Sequence, residues 1–182
     1  MRVVKAWLQF TLAAVGLLLV VLAIVAAVLL GSVALIFDSW TPGPRPSDAA
    51  MIENFRHKRE TFETLVRMIR EDRGLKRIDV DWTDPADPST IGVSAERIAL
   101  YRQLCREAGA ARGFYQFDTV VVFVGYAAGM VVHGSSKSYV HGRGKYDYDE
   151  VDGDLDAAAG KERKFYGWRR IDEHWSIELT IN

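Results

Sequence analysis

The stretch "FYQFDTVVVFVGY", residues 114–126, decides the fold class of this chain. It is rich in β-branched and aromatic residues, and residues 120–124 are apolar without alternation. A continuous apolar run of this kind is typical of a central strand that is covered on both faces. We therefore expect a β-sheet whose most buried strand lies here.

The segment that follows this strand predicts a β-hairpin. Residues 130–133 and 138–141 read as two short strands, and a glycine-serine turn at Ser135-Ser136 would connect them. In that register His133 and His141 point to opposite faces, so they can neither share a metal ion nor form one acid–base pair. Ser135, Ser136 and Lys137 would then stand on an exposed turn, where recognition residues are common.

The C-terminus predicts a second hairpin around a two-residue turn at Asp172-Glu173. This turn would set Arg170 opposite Trp175 and Trp168 opposite Ile177. Alternation along paired strands then gives one apolar face and one polar face. We expect the apolar face to be core, and it comprises Tyr166, Trp168, Trp175, Ile177, Leu179 and Ile181.

Residues 48–113 carry the helical part of the domain. Apolar residues recur at three- and four-residue spacing from an N-cap at Ser47 to Gly74, and again from an N-cap at Ser94 to Gly109. The second helix places Cys105, the single cysteine of the chain, on its apolar face, so we expect that thiol to be buried. The fold class is therefore α+β, with two helices packed on a mainly antiparallel sheet of about five or six strands.

The N-terminus predicts a membrane anchor. Residues 6–37 contain no charged residue, whereas about 20 apolar residues suffice for a helix to cross a bilayer. Arg2 and Lys5 precede the run, so the N-terminus is expected in the cytoplasm and the remainder in the periplasm, on a bacterial inner membrane. The alternative is a signal peptide cleaved within residues 31–34, but its apolar region is usually about 7–15 residues.

This reading divides the chain into three parts. Residues 1–37 are a cytoplasmic stub and transmembrane anchor, with lipid contact along residues 10–37. Residues 38–47 are a proline-rich linker, and residues 48–182 are the exported domain. Small residues at four-residue spacing in the anchor could pair two copies into a homodimer, although alanine is also plain filler there. They are Ala23, Ala27 and Gly31.

Charge restricts the class of partner. The formal net charge is −1, and Arg2 and Lys5 contribute +2, so the exported part carries −3. Such a domain lacks the basic footprint of a nucleic-acid-binding protein. An acidic stretch, "DYDEVDGDLD", occupies residues 147–156 and would suit a basic protein partner. Its candidate binding residues are Asp147, Asp149, Asp152 and Asp154.

The acidic stretch does not match a calcium loop, and no cofactor motif is present. If Gly153 is aligned with the EF-hand glycine, Tyr148 and Glu150 fall on the first two ligand positions, where the D-x-[DN] pattern requires Asp or Asn. The serines lack a G-x-S-x-G elbow and the glycines lack a phosphate-loop pattern. We predict neither a metal site nor a catalytic site. The alternatives are a hydrolase that uses His133 or His141 with an acidic-loop carboxylate, and a small-ligand sensor.

The two hairpins resemble a pattern in small, uncharacterised proteobacterial exported proteins. "GSSKSYVHG" supplies its G-x-x-K-x-Y turn, and "YGWRRIDEHWSIEL" approximates its Y-x-x-I-x-x-x-W hairpin, with Trp168 standing inside the tyrosine-to-isoleucine interval. The resemblance implies export and a shared fold, and it implies no activity. We expect a domain that binds a protein partner, as an accessory subunit of an envelope complex or as an immunity protein that neutralises a toxin.

Overall fold

The computed structural model of the chain describes Val25 and residues 43–130, 133–142 and 148–182. The described residues from Gly43 onward belong to one compact unit. None of the helices among the described residues is both long and apolar enough to cross a membrane. Apart from Val25, the predicted anchor at residues 6–37 lies outside the described residues, and so does the predicted dimerisation line of Ala23, Ala27 and Gly31.

The described domain is α+β, as predicted, with three α-helices packed on a mostly antiparallel eight-stranded sheet. The helices are α1 (Asp48–Glu71), α2 (Ala95–Glu107) and α3 (Leu155–Ala159), and a 3-10 helix spans Pro88–Ile91. The strands are β1 (Arg77–Ile78), β2 (Thr83–Asp84), β3 (Phe114–Phe117), β4 (Val120–Met130), β5 (His133–His141), β6 (Asp149–Glu150), β7 (Phe165–Arg170) and β8 (Trp175–Ile181). Their order in the sheet is β2-β1-β3-β4-β5-β8-β7-β6, and β6 runs parallel to β7.

The predicted number of elements was too low. The expectation of strands alone after Phe114 is wrong, because α3 lies in that region. Its N-cap Asp154 accepts a hydrogen bond from the Ala157 amide at 3.0 Å, and the alanines that follow favour a helix. Strands β2 and β6 span two residues each, which is too short for an alternating pattern to indicate them.

Both long helices begin where the sequence predicts. The Ser47 hydroxyl accepts from the Ala50 amide at 3.2 Å, and the Ser94 hydroxyl accepts from the Arg97 amide at 3.2 Å. Each serine thereby satisfies an amide that has no partner within its own helix. Helix α1 ends at Glu71, three residues before the predicted stop at Gly74.

The core lies between the helices and one face of the sheet, which we call the inner face. The Phe62 ring of α1 lies 5.4 Å from the Phe123 ring of β4 and 5.4 Å from the Trp175 ring of β8, measured between centroids. Cys105 of α2 is buried in the same core, as predicted, and burial raises the pKa of its thiol to about 12. Aromatic pairs of this kind stabilise a core beyond the area that they bury.

The stretch at residues 114–126 is not one strand, because it divides into the antiparallel strands β3 and β4. Its β4 part is buried on both faces, as predicted. Val121 and Phe123 point to the inner face, where Phe123 belongs to the main core. Val120 and Val122 point to the opposite face, which we call the outer face, and form a small apolar cluster there with Val140 of β5. Because Val122 and Phe123 are both fully buried, neither face of β4 could accept a polar residue at this level.

The predicted turn at Ser135-Ser136 is wrong. Strand β4 continues to Met130, which pairs with His133, and Ser135 and Ser136 pair with Ala128 and Ala127 in the middle of β5. His133 and His141 are therefore the two ends of one strand, about 26 Å apart at about 3.3 Å per residue, and not members of two paired strands. A bulge between Val124 and Tyr126 shifts the register of this hairpin, and no pattern in the sequence predicts it.

The register of the C-terminal hairpin is one residue off the prediction. Trp168 pairs with Glu178 and Arg170 with Ser176, because the turn is longer than two residues. The Asp172 carboxylate accepts from the amides of His174 and Trp175 at 2.9 and 3.0 Å and so stabilises the longer turn. A one-residue slip moves every side chain of a strand to the other face. Tyr166 and Trp168 consequently lie on the outer face, whereas Trp175, Ile177 and Leu179 are buried in the core as predicted.

Gly113 lies where the backbone of β1 approaches the start of β3 closely. Its φ is +79°, and an added Cβ would lie 2.0 Å from the Ile78 carbonyl oxygen. Gly92 has the same φ of +79° but open space around its Cβ position. We predict that Gly92→Ala lowers the free energy of unfolding by about 1–3 kcal/mol through backbone strain, and that Gly113→Ala lowers it further. Urea unfolding of both variants checks this, and equal losses would contradict the described contact.

Candidate functional site

Ser135, Ser136 and Lys137, the predicted recognition residues, do not form an exposed turn. Lys137 is fully buried on the inner face of β5, and its ammonium lies 2.6 Å from Asp48 Oδ1 and 2.5 Å from Asp156 Oδ2. It also donates to the Pro46 carbonyl at 3.0 Å. Ser135 and Ser136 are partly exposed but lie in a strand that is paired on both sides. The expectation of an exposed turn at these three residues is therefore wrong.

Three carboxylate groups lie close together beside the ammonium of Lys137. Asp48, Asp154 and Asp156 each place an oxygen within 4.8 Å of the others, a spacing that would suit a metal ion. Lys137 already supplies a positive charge to two of them, and Arg45 binds Asp156 at 2.6 Å. Asp48 Oδ2 further accepts from the Leu155 amide at 2.9 Å. We interpret the cluster as a structural ion network, since Asp48 and Asp156 pair with Lys137 and Arg45, and Asp154 caps α3.

The acidic stretch is divided among different roles. Asp154 caps α3 and Asp156 belongs to the ion network, whereas Asp149 in β6 and Asp152 are exposed. Neither Asp149 nor Asp152 forms an ion pair with another described residue. Asp147 lies outside the described residues. The exposed part of the stretch thus runs along the β6 edge of the sheet.

A cavity on the outer face is the candidate binding site of the described domain, and we call it the outer pocket. It has a volume of about 390 Å³, and β5, β7, β8 and the turn between β7 and β8 build it. Its position follows from the longer C-terminal turn, which brings the side chains of β7 to this face. Its lining residues are Val140, Gly142, Tyr148, Trp168, Arg170, Asp172, Glu173, His174, Trp175, Ser176 and Glu178.

A buried carboxyl group lies in the outer pocket. Glu178 is only 8% exposed, and Thr180 donates a hydrogen bond to its Oε1 at 3.1 Å. No cation among the described residues lies within ion-pairing distance of it. Burial raises the pKa of the Glu178 carboxyl, and the single Thr180 hydrogen bond offsets this only in part. A titratable group with a shifted pKa in a cavity is a candidate functional group.

Aromatic side chains form the wall beside Glu178. The Trp168 indole donates from Nε1 to the Tyr148 carbonyl oxygen at 3.0 Å, and the Tyr148 ring stacks on Tyr166 at 5.2 Å between centroids. Burial, and then the nearby Glu178, raise the pKa of the Tyr148 hydroxyl. Its hydroxyl therefore stays uncharged at neutral pH, so the wall is aromatic and neutral.

The charges at the rim are unequally paired. Glu150 binds the Arg170 guanidinium through both oxygens, at 3.0 and 3.2 Å, and Arg59 binds Asp172 at 2.9 Å. Glu173 is exposed and forms no ion pair within the described part of the chain. With Arg170 already neutralised, the outer pocket carries an excess of acidic groups. The arrangement favours a positively charged ligand group.

His141, one of the two histidines proposed for the hydrolase alternative, lies on the inner face of the sheet, away from the outer pocket. His141 is buried on the inner face, and its ring lies 4.8 Å from that of Trp175, centroid to centroid. Burial and then the charge of Arg70 lower the pKa of His141. The carboxylates that influence it are Glu63 and Asp172 rather than those of the acidic stretch. Among the described residues, His141 makes no contact with a carboxylate of the acidic stretch, so the pairing predicted for that alternative is not formed by His141.

The outer pocket was not anticipated from the sequence. Alternation did place Glu178 on the polar face of β8, but the predicted turn put Trp168 on the opposite face. The polar residues after Ile171 are the signal that was available, because an aspartate in a turn often binds amides two or three residues on. Allowing for such a turn would have placed Trp168 beside Glu178.

No protein-family model matches the chain, and no curated protein and no solved structure shows significant similarity to it. The resemblance to exported proteobacterial proteins stays a prediction. The geometry of the outer pocket therefore carries the functional argument.

The pH dependence of stability tests the burial of Glu178. Its pKa is raised above the ordinary value of 4.5, so the folded state holds this proton more tightly than the unfolded state does. Protonated Glu178 therefore stabilises the folded state. This stabilisation is complete below pH 4.5 and is lost as the pH rises through the pKa of Glu178 in the folded state. We predict that Glu178→Gln raises the midpoint of thermal unfolding relative to wild type at about pH 7.5, and that the gain shrinks at about pH 4.5.

Glu60→Gln is the matched control. Glu60 is exposed on α1, so this substitution removes the same charge from the surface of the domain. Its effect should vary little over this pH range. A lower unfolding midpoint for Glu178→Gln than for wild type at about pH 7.5 would contradict the assignment of Glu178 as a buried group that lacks a cation.

Proposed function

We propose that this chain is a single-pass inner-membrane protein whose periplasmic domain binds a protein partner and has no catalytic activity. Residues 6–37 would anchor it with the N-terminus in the cytoplasm, since this run holds no charge and follows Arg2 and Lys5. The domain from residue 48 onward would then stand at the outer surface of the inner membrane.

The observation that carries the binding proposal is the outer face of the sheet. All three described helices contribute to the core on the inner face, and the outer pocket opens on the side without a described helix. A concave site with aromatic walls and a few polar groups is the usual form of a binding site. Because it lies on paired strands, its side chains are held more rigidly than those of a loop.

The charge of the neighbouring sheet edge supports a basic partner. Strand β6 pairs with β7 on one side only, so its other side is an edge of the sheet. Asp149 and Asp152 are exposed at or next to this edge, close in sequence to Tyr148 of the outer pocket. Acidic groups around a pocket speed the approach of a basic protein and weaken in effect as salt rises. An envelope-complex accessory subunit and a toxin-neutralising immunity protein would both use such a surface.

A small-ligand sensor is the second candidate, and the volume of the outer pocket supports it. About 390 Å³ falls within the range of about 300–1,000 Å³ that is usual for small-molecule sites. The two candidates differ in the area that they would cover. A protein partner would contact the β6 edge as well as the outer pocket, whereas a small ligand would contact the outer pocket alone.

Site-specific photocrosslinking in cells tests the proposal. A photoreactive amino acid replaces Ser176, which lines the outer pocket, in the full-length membrane-bound chain. A matched variant carries it at Lys58, an exposed position on α1 on the other side of the sheet. We predict a discrete protein adduct at position 176 that weakens when salt is raised from about 0.05 to about 0.5 M, with none at position 58. Absence of a protein adduct at position 176 would contradict the protein-partner proposal.

A further inference from the structure

We propose that the outer pocket binds an alkylammonium or guanidinium group, and that this cation takes the place of the proton on Glu178. The source would be a lysine or arginine side chain of the partner, or a free amine. The inference rests on the proposed function, because it names the chemistry that the same binding face recognises. It makes binding at this face dependent on pH.

The first support is the surroundings of the Glu178 carboxyl. Only Thr180 donates to it among the described residues, at 3.1 Å, although a carboxylate can accept several hydrogen bonds. The guanidinium that lines the outer pocket is held by both oxygens of Glu150. An incoming cation would therefore find the Glu178 carboxyl group without an ion pair to any described residue. A charge-assisted hydrogen bond to such an acceptor is stronger than one between neutral groups.

The second support is the aromatic wall. The guanidinium carbon of Arg170 lies 5.5 Å from the centroid of the Trp168 ring, so this ring already stands within range of a cation. Trp168 pairs directly with Glu178 across β7 and β8, so a cation bound to the carboxyl would lie beside the indole. A carboxylate combined with an aromatic ring is suited to ammonium and guanidinium groups. Anionic ligands would instead be repelled by Glu173, which lines the same pocket.

The charged and titratable groups around Glu178 come from each neighbouring element. Strand β7 supplies Tyr166 and Arg170, the segment before β6 supplies Tyr148, and the turn supplies Asp172, Glu173 and His174. Arg170 is paired with Glu150, and the raised pKa of Tyr148 keeps its hydroxyl uncharged at neutral pH. His174 also lines the rim of the outer pocket, so a His174→Gln variant separates its contribution from that of Glu178.

The exchange is balanced. Below the carboxyl pKa, the ligand carries one positive charge and Glu178 carries its proton before binding; afterwards the cation faces the Glu178 carboxylate and one proton is released to solvent. No covalent bond is formed or broken except the O–H bond of the carboxyl group. Because one proton is released for each cation bound, affinity should rise by up to about tenfold per pH unit below the carboxyl pKa and level off above it.

The experiment uses the full-length chain in detergent micelles, labelled with ¹³C at the glutamate side-chain carboxyl carbons. The Glu178 resonance is assigned from its loss in Glu178→Gln. The probes are acetyl-Gly-Lys-Gly-amide, its Gln analogue as the neutral control, and n-butylammonium as the free amine. Each is titrated at several values between about pH 5 and pH 8, in wild type, Glu178→Gln, His174→Gln and the surface control Glu60→Gln.

We expect the lysine peptide to shift the Glu178 resonance and lower its titration midpoint, with an affinity that rises with pH. The Gln peptide should have no such effect, Glu178→Gln should not bind the lysine peptide, and Glu60→Gln should behave like wild type. His174→Gln should keep the rise of affinity with pH, because that rise is assigned to Glu178. Binding of n-butylammonium without the lysine peptide would support the cation site and overturn a protein side chain as its source.

Equal binding of the Lys and Gln peptides, an affinity independent of pH, or full binding by a folded Glu178→Gln variant would overturn the inference. Its failure can be told apart from failure of the proposed function. If the photocrosslinked adduct at position 176 persists in Glu178→Gln, the domain binds a partner without this cation exchange. If the adduct is absent in wild type, the proposed function itself fails.

Discussion

The buried ion network around Lys137 is the constraint on which the rest of the domain depends. The ammonium lies in the middle of β5, 2.6 Å from Asp48 at the start of α1 and 2.5 Å from Asp156 in α3. It also holds the Pro46 carbonyl at 3.0 Å, so it joins the last residues of the linker to the sheet. Removing one partner of a buried pair leaves a charge without compensation, which costs about 3–5 kcal/mol. One side chain thereby fixes where two helices meet the sheet.

This constraint places both helices and the linker end on the inner face, and the outer face carries no described helix. Along β8 the consequence is visible residue by residue, because Ile177 and Leu179 are buried in the core while Glu178 between them faces the outer pocket. The same strand therefore stabilises the fold and presents the candidate site. If residues 6–37 anchor the chain as proposed, the network at Pro46 and Asp48 is also where the anchor's linker joins the folded domain.

The sequence predicted the features that depend on local patterns and missed those that depend on long-range pairing. The α+β class, the caps at Ser47 and Ser94, and the double burial of β4 follow from periodicity and side-chain chemistry alone. The role of Lys137 could not be predicted, since its partner Asp48 is 89 positions away in the chain and a glycine-serine stretch ordinarily marks a turn. The outer pocket depends on a single residue of register in the C-terminal turn, which alternation cannot decide.

A double-mutant cycle on Asp48 and Lys137 tests the central claim most directly. Urea unfolding gives the free energy of unfolding of wild type, Asp48→Asn, Lys137→Met and the double variant, with Glu150→Gln and Arg170→Met as a cycle on an exposed pair. We predict that each single change at the buried pair costs about 3–5 kcal/mol and that the double variant loses clearly less than the two losses combined. The exposed pair should couple far more weakly. Additive losses at Asp48 and Lys137 would contradict the account, because the two residues would then stabilise the fold independently.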